Sequence, residues 1–171
     1  MSRLSAAALL AGLLSAGCAS SSSKTFRDDG VSVRYPSNWH ATRRALTPVT
    51  SPVQVLAVAS YVLPQGNAGA DGCSPKEALD RLPPDGVFLF GWEYDRPALA
   101  GVQRSDFPPR PEHFELKGPT GFECLGRSYV VAFRDADRLF QIHVVLGPQA
   151  GEDERATALK VLDSLEVSSQ G

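Results

Sequence analysis

The sequence predicts an α+β fold, an antiparallel β-sheet with helices packed on it. Three observations carry that expectation. Stretches of strand character follow one another instead of alternating with helices, which argues against a parallel βαβ sheet. Tyr129, Val131 and Phe133 hold period two before Asp135-Ala136-Asp137, and Phe140, Ile142, Val144 and Leu146 hold it afterwards, the signature of a hairpin. Helix signals occur only twice, once mid-chain and once near the end.

The chain begins Met1-Ser2-Arg3 and then runs uncharged from Leu4 to Cys18. Its apolar part, Leu4 to Leu14, would span about 16 Å as a helix, half a bilayer core, so no spanning helix is expected. A charged start, an apolar stretch and small residues at the end form an export signal. The end of that signal, Leu14-Ser15-Ala16-Gly17-Cys18, resembles the bacterial lipobox, with Ser15 where leucine is usual. The resemblance implies that the Cys18 thiol receives diacylglycerol and that the chain is cut just before it. Residues 1–17 are then a lipoprotein signal peptide, and 18–24 a serine-rich flexible tether. An ordinary signal with Cys18 incidental is the alternative. The lipid reading makes the chain an exported protein, its domain extracytoplasmic and its partner a bacterial membrane through Cys18.

Three cysteines are an odd number for an exported chain. With Cys18 assigned to lipid, Cys73 and Cys124 remain as an even pair. A disulfide there would close a loop of about 50 residues, which the chain-entropy model values at ~4 kcal/mol. Two buried thiols are the other reading.

In chain order, Asp28-Asp29-Gly30 signals a turn, and Val31, Val33 and Tyr35 alternate after it as a half-buried strand that ends at Pro36. Gln54 to Val62 is apolar on both faces, hence a central strand. Pro64 to Gly72 is a loop. It leads into a helix with Ser74 as cap, Pro75 in the first turn and Glu77 closing a capping box, Ala78 and Leu82 facing inward. In Val87 to Tyr94 the rings of Phe88, Phe90, Trp92 and Tyr94 share one face of a strand. Asp95 to Pro111 is long and irregular, ending in a proline-rich extended run. His113 to Leu116 and Phe122 to Cys124 read as short strands. Gly151 to Leu165 is an amphipathic helix with Ala158, Leu159, Leu162 and Leu165 inward and three acids in its first turn, and Glu166 to Ser168 adds an edge strand.

Two stretches carry a further resemblance. GVSVRYPSNWHATR, starting at Gly30, is similar to the opening of PsbP-like domains, with a strand, a Tyr-Pro-x-x-Trp corner and a further strand. FQIHVVLG and ATALKVLDSLEV are similar to their closing hairpin and helix. The resemblance implies a single PsbP-like domain over 25–169 with an α/β/α sandwich. That family spans photosystem accessory proteins, a nuclear-transport regulator and bacterial envelope lipoproteins, so it implies an adaptor or assembly role more than an enzyme.

Composition excludes some functions. The chain has 43% hydrophobic and 21% charged residues and a net charge of −2. That balance does not suit nucleic acid, and Arg43-Arg44 is too short a basic run. No Gly-x-Ser-x-Gly occurs. His143, on the strand face with Gln141, reads as a half-exposed sheet residue. His113-x-Glu115 offers two ligand types on one face, too few for a metal site, so no metal or cofactor is expected. Gly66, Gly69 and Gly72 precede a helix without the Lys-Ser/Thr of a phosphate loop.

The aromatic face reads first as core. If part of that face stays open, Trp92 and Tyr94, with Trp39, would line a groove for a peptide or lipid. Phe107, in Phe107-Pro108-Pro109, is the further binding-surface candidate, on a loop long enough to be functional. The expected function is a lipid-anchored binding or assembly module with a protein partner in the envelope and no catalytic activity. A carrier of an apolar small ligand in a groove over the sheet is the first alternative. A hydrolase using His143 or His113 is the second.

Overall fold

The computed structural model describes residues 22–67, 72–96, 100–122 and 124–169. The expected export signal, Cys18 and most of the expected tether lie outside the described residues.

Alternation in the first strand pair does what period two demands. β1 (Ser23–Asp28) and β2 (Val31–Pro36) run antiparallel across Asp29-Gly30, with Phe26 opposite Val33. Both turn residues have positive φ, 41° and 71°, the two-residue hairpin geometry that Asp-Gly favours. β1 begins at Ser23, inside the segment expected to be tether, because its backbone finds a ladder on β2.

The larger sheet has six strands: β3 (His40–Ala41), β4 (Val53–Ala59), β5 (Val87–Glu93), β6 (Thr120–Phe122), β7 (Gly126–Asp135) and β8 (Arg138–Leu146). Their order is β3-β4-β5-β8-β7-β6, and every pairing is antiparallel. The smaller sheet is completed by β9 (Glu166–Val167) on the open edge of β2. Ser164 extends that edge with a side chain: its hydroxyl accepts from Arg34 N–H at 2.8 Å and lies 3.1 Å from the Arg34 carbonyl.

The fold is therefore a small α+β domain built mainly of antiparallel strands. Both faces of the large sheet are covered, which is why all seven residues of β5 are buried. On one face Val87, Leu89, Phe133, Phe140 and Ile142 pack under α2 (Glu152–Asp163) and the small sheet, through Ala158, Val161 and Leu162 of the helix. Val161 joins this inward face, and Leu159, expected on it, packs partly buried against the same core. On the other face Phe88, Phe90 and Trp92 pack under α1 (Lys76–Asp80), Tyr61 and Leu63.

Three expected elements differ. α1 has Pro75 as its cap and no side-chain capping bond, so Ser74 and Glu77 form no capping box. Glu77 instead pairs with Arg81 one turn on, while Lys76 pairs with Asp80 at 2.6 Å. Residues 113–116 are not a strand. Side chains of α2 satisfy that backbone: the Asp163 carboxylate accepts from Phe114 N–H at 2.8 Å, and Arg155 donates to the Leu116 carbonyl. The strand expected over 122–124 lies earlier, at Thr120–Phe122.

Candidate functional site

The binding-surface candidates are mostly core. Trp92 and Phe107 are each 2% exposed and Trp39 is 6% exposed, so these rings are mainly core. Trp39 belongs to the core cluster with Val33 and Leu162, and its small exposed part lines a cavity of about 310 Å³ with Ser60, Val87 and Thr157. Phe107 turns in from the irregular segment against Tyr94, ring centroids 5.3 Å apart. Tyr94 alone is half-buried. The aromatic face is core, as the first reading had it, and it is closed by more than helices: Leu46, Tyr61, Leu63, Leu125 and the cysteine pair complete its cover.

Cys73 and Cys124 form a disulfide, their Cα atoms 5.1 Å apart across 51 positions of sequence. Cys73 precedes α1 and Cys124 follows β6, so the bond clips the helix to the far end of the sheet that it covers.

His143 is fully buried, not half-exposed. Its register partner on β5 is Phe90, which sets it on the aromatic face, edge-on to Trp92 at 5.3 Å. A directed chain of hydrogen bonds runs through it. Tyr94 donates its hydroxyl to Gln141 Oε1 at 2.6 Å, which turns the amide nitrogen toward His143 Nε2 at 3.0 Å. His143 then carries its proton on Nδ1 and donates it to Ser128 Oγ at 3.1 Å. Burial drives its pKa down to about 4, so the ring is neutral at pH 7. A serine and a histidine thus meet, but the ring donates to the hydroxyl instead of drawing its proton, and both side chains are sealed. His113 is on the surface, its Nδ1 3.4 Å from Asp163. Among the described residues no group of three or more His, Cys, Asp or Glu side chains is placed to hold a metal ion.

A second buried polar group escaped sequence reading. Arg138 and Glu93 form a bidentate ion pair with both side chains buried. Arg138 starts β8 and Glu93 ends β5. Adjacent antiparallel strands bring those ends together, so only the pairing of β5 with β8 reveals the contact.

The open features lie at edges. A polar cavity of about 560 Å³ surrounds the β1–β2 turn, walled by Arg27, Asp28, Arg43 and Glu166. A second cavity, about 420 Å³, sits against the outer edge of β7 between Pro108, Pro111, Phe114 and Val130 to Ala132, with His113, Glu115 and Lys117 also lining it. That edge is blocked at both ends. β6 pairs with it as far as Ser128, and the proline-rich strap holds Arg134 from the other side. The strap contacts are Arg134 N–H to the Pro108 carbonyl at 2.8 Å and Arg110 N–H to the Arg134 carbonyl at 3.0 Å. Between these blocks is a notch in the sheet edge, and it is the best-defined candidate for recognition. Compared with known proteins, the chain matches no family model and no curated protein.

Proposed function

We propose that this chain is a lipid-anchored extracytoplasmic module that binds or assembles with a protein partner and performs no chemistry of its own. The observation that carries the reading is the filling of both faces of the six-stranded sheet. Phe88, Phe90 and Trp92 pack on one side and Val87 and Leu89 on the other, all buried. A carrier of an apolar ligand calls for an apolar pocket that engulfs most of it. Filled faces leave recognition to edges and loops. The Cys73–Cys124 disulfide supports an oxidising compartment, where such bonds persist. The hydrolase reading is weakened because His143 has no cleft and His113 has a carboxylate beside it but no nucleophile among its bonded partners. The layering of α2, large sheet and α1 fits the PsbP-like sandwich over 25–169.

Two measurements test it. Crosslinking and pull-down from membranes should recover a stoichiometric protein partner, and repeated failure would count against the adaptor role. Mass spectrometry of the mature protein should find an N-terminal diacylglyceryl Cys18. An unmodified Cys18, or an N-terminus elsewhere, would remove the anchor.

A further inference from the structure

We propose that the notch at Val130–Ala132 is a docking site for a short extended segment of a partner protein, added as a strand to β7. The proposal rests on the adaptor reading and specifies the chemistry of its partner.

Strand parity identifies the open groups. The Arg134 N–H and carbonyl point out of the sheet toward the strap. Backbone direction alternates along a strand, so Ser128, Val130, Ala132 and Arg134 all point outward, while Tyr129, Val131 and Phe133 bond inward to β8. Ser128 is matched by Thr120 and Arg134 by the strap. The outward N–H and C=O groups of Val130 and Ala132 have no hydrogen-bond partner among the described residues. Two donors and two acceptors, repeating over about 7 Å, match an extended polypeptide backbone.

The surroundings narrow the occupant. The cavity of about 420 Å³ admits a few residues in extended form, and its walls of Pro108, Pro109, Pro111 and Val131 favour apolar side chains on the incoming strand. Glu115 and Lys117, both exposed, supply one charge of each sign, so no strongly charged segment is selected. Two copies cannot pair notch to notch, because each notch is recessed between β6 and the strap and two recessed edges cannot come within the 4.7–4.9 Å of strand pairing. The occupant is therefore a flexible, uncharged, alternating apolar segment of another protein.

Hydrogen exchange read by NMR on the full chain tests this. In the free protein the Val130 and Ala132 amides should exchange at least about tenfold faster than those of Val131 and Phe133. An end-blocked heptapeptide of alternating valine and threonine should slow Val130 and Ala132 in a saturable way and shift resonances of β7 and the strap. Ala132→Pro removes one outward donor and no rung to β8, as edge positions tolerate. It should abolish peptide binding with little change in the urea midpoint, and Val130→Pro provides the same test independently. Slow exchange of both amides in the dilute free protein would overturn the proposal, since the edge would already be covered. Protection that rises with protein concentration alone would do so in favour of a second copy. Failure of the heptapeptide to bind the wild-type chain would also overturn it. A partner that is pulled down equally well by Ala132→Pro would overturn edge docking while leaving the adaptor role standing.

Discussion

Arg138 donates to Glu93 through two parallel bonds, Nε to Oε1 at 2.7 Å and Nη2 to Oε2 at 2.6 Å, with both side chains buried. The same guanidinium stacks over Phe140 at 5.2 Å and lies 3.3 Å from the Ser168 carbonyl beyond β9. Asp29, in the β1–β2 turn, stands 3.9 Å away. One charged group thus joins the two sheets, and the bonds to Glu93 raise its pKa further.

Removing one member of this pair strands the other charge in the core. Glu93→Ala or Arg138→Ala should each cost about 3–5 kcal/mol. Replacing both with apolar side chains of similar size, Glu93→Leu with Arg138→Met, should recover most of that loss, because neither desolvated charge remains. Urea unfolding of the two single variants and the double variant measures the cycle. A double variant as unstable as the singles would contradict it.

His143 makes stability depend on pH. Its folded pKa, about 4, lies below the ordinary 6.5 because burial penalises the imidazolium. Between those values the unfolded chain binds the extra proton and the folded one does not. The contribution is therefore fully present above pH 6.5 and is lost as pH falls toward 4, by about 3 kcal/mol in all. Urea midpoints at pH 7 and pH 4.5 should show the loss, and His143→Leu should flatten this part of the profile. Nitrogen shifts of the ring at pH 7 should report the proton on Nδ1.

The disulfide should act mainly on the unfolded chain. Closing 51 positions restricts that ensemble, and Cys73→Ser with Cys124→Ser should cost ~4 kcal/mol. Strong reductant should destabilise the wild type similarly and leave the double variant unaffected. Urea unfolding with and without reductant decides it.

Ala136 pays for the β7–β8 turn. Ala136 and Asp137 have φ of 47° and 63°, left-handed values that a Cβ disfavours. Ala136→Asn or Ala136→Gly should therefore stabilise the protein by about 1 kcal/mol, read as a rise in thermal midpoint. A fall would mean that the methyl group is held by packing that outweighs the backbone.

Local patterns carried much of the fold. Alternation located β2, β5, β7 and β8, and the acidic first turn and apolar face located α2, because each depends on neighbours within a few positions. Reading failed where satisfaction came from afar. The expected cap on α1 lost Glu77 to Arg81, and the expected strand at 113–116 has its backbone held by Asp163 and Arg155. His143 read as half-exposed because Gln141 beside it is polar. Yet Ser128, 15 positions away, supplies the bond that lets the ring be buried.

From sequence alone came the strand and helix periods, the pairing suggested by cysteine count, and the expectation of an export signal ending at Cys18. Those features are local or arithmetic. Only the tertiary structure decided that Trp39 and Phe107 are core and that Arg138 meets Glu93. It also decided that β7 keeps an open notch at Val130 and Ala132. Burial and edge exposure depend on which distant segments cover a residue, and period two assigns a side chain to a face without saying what lies over it.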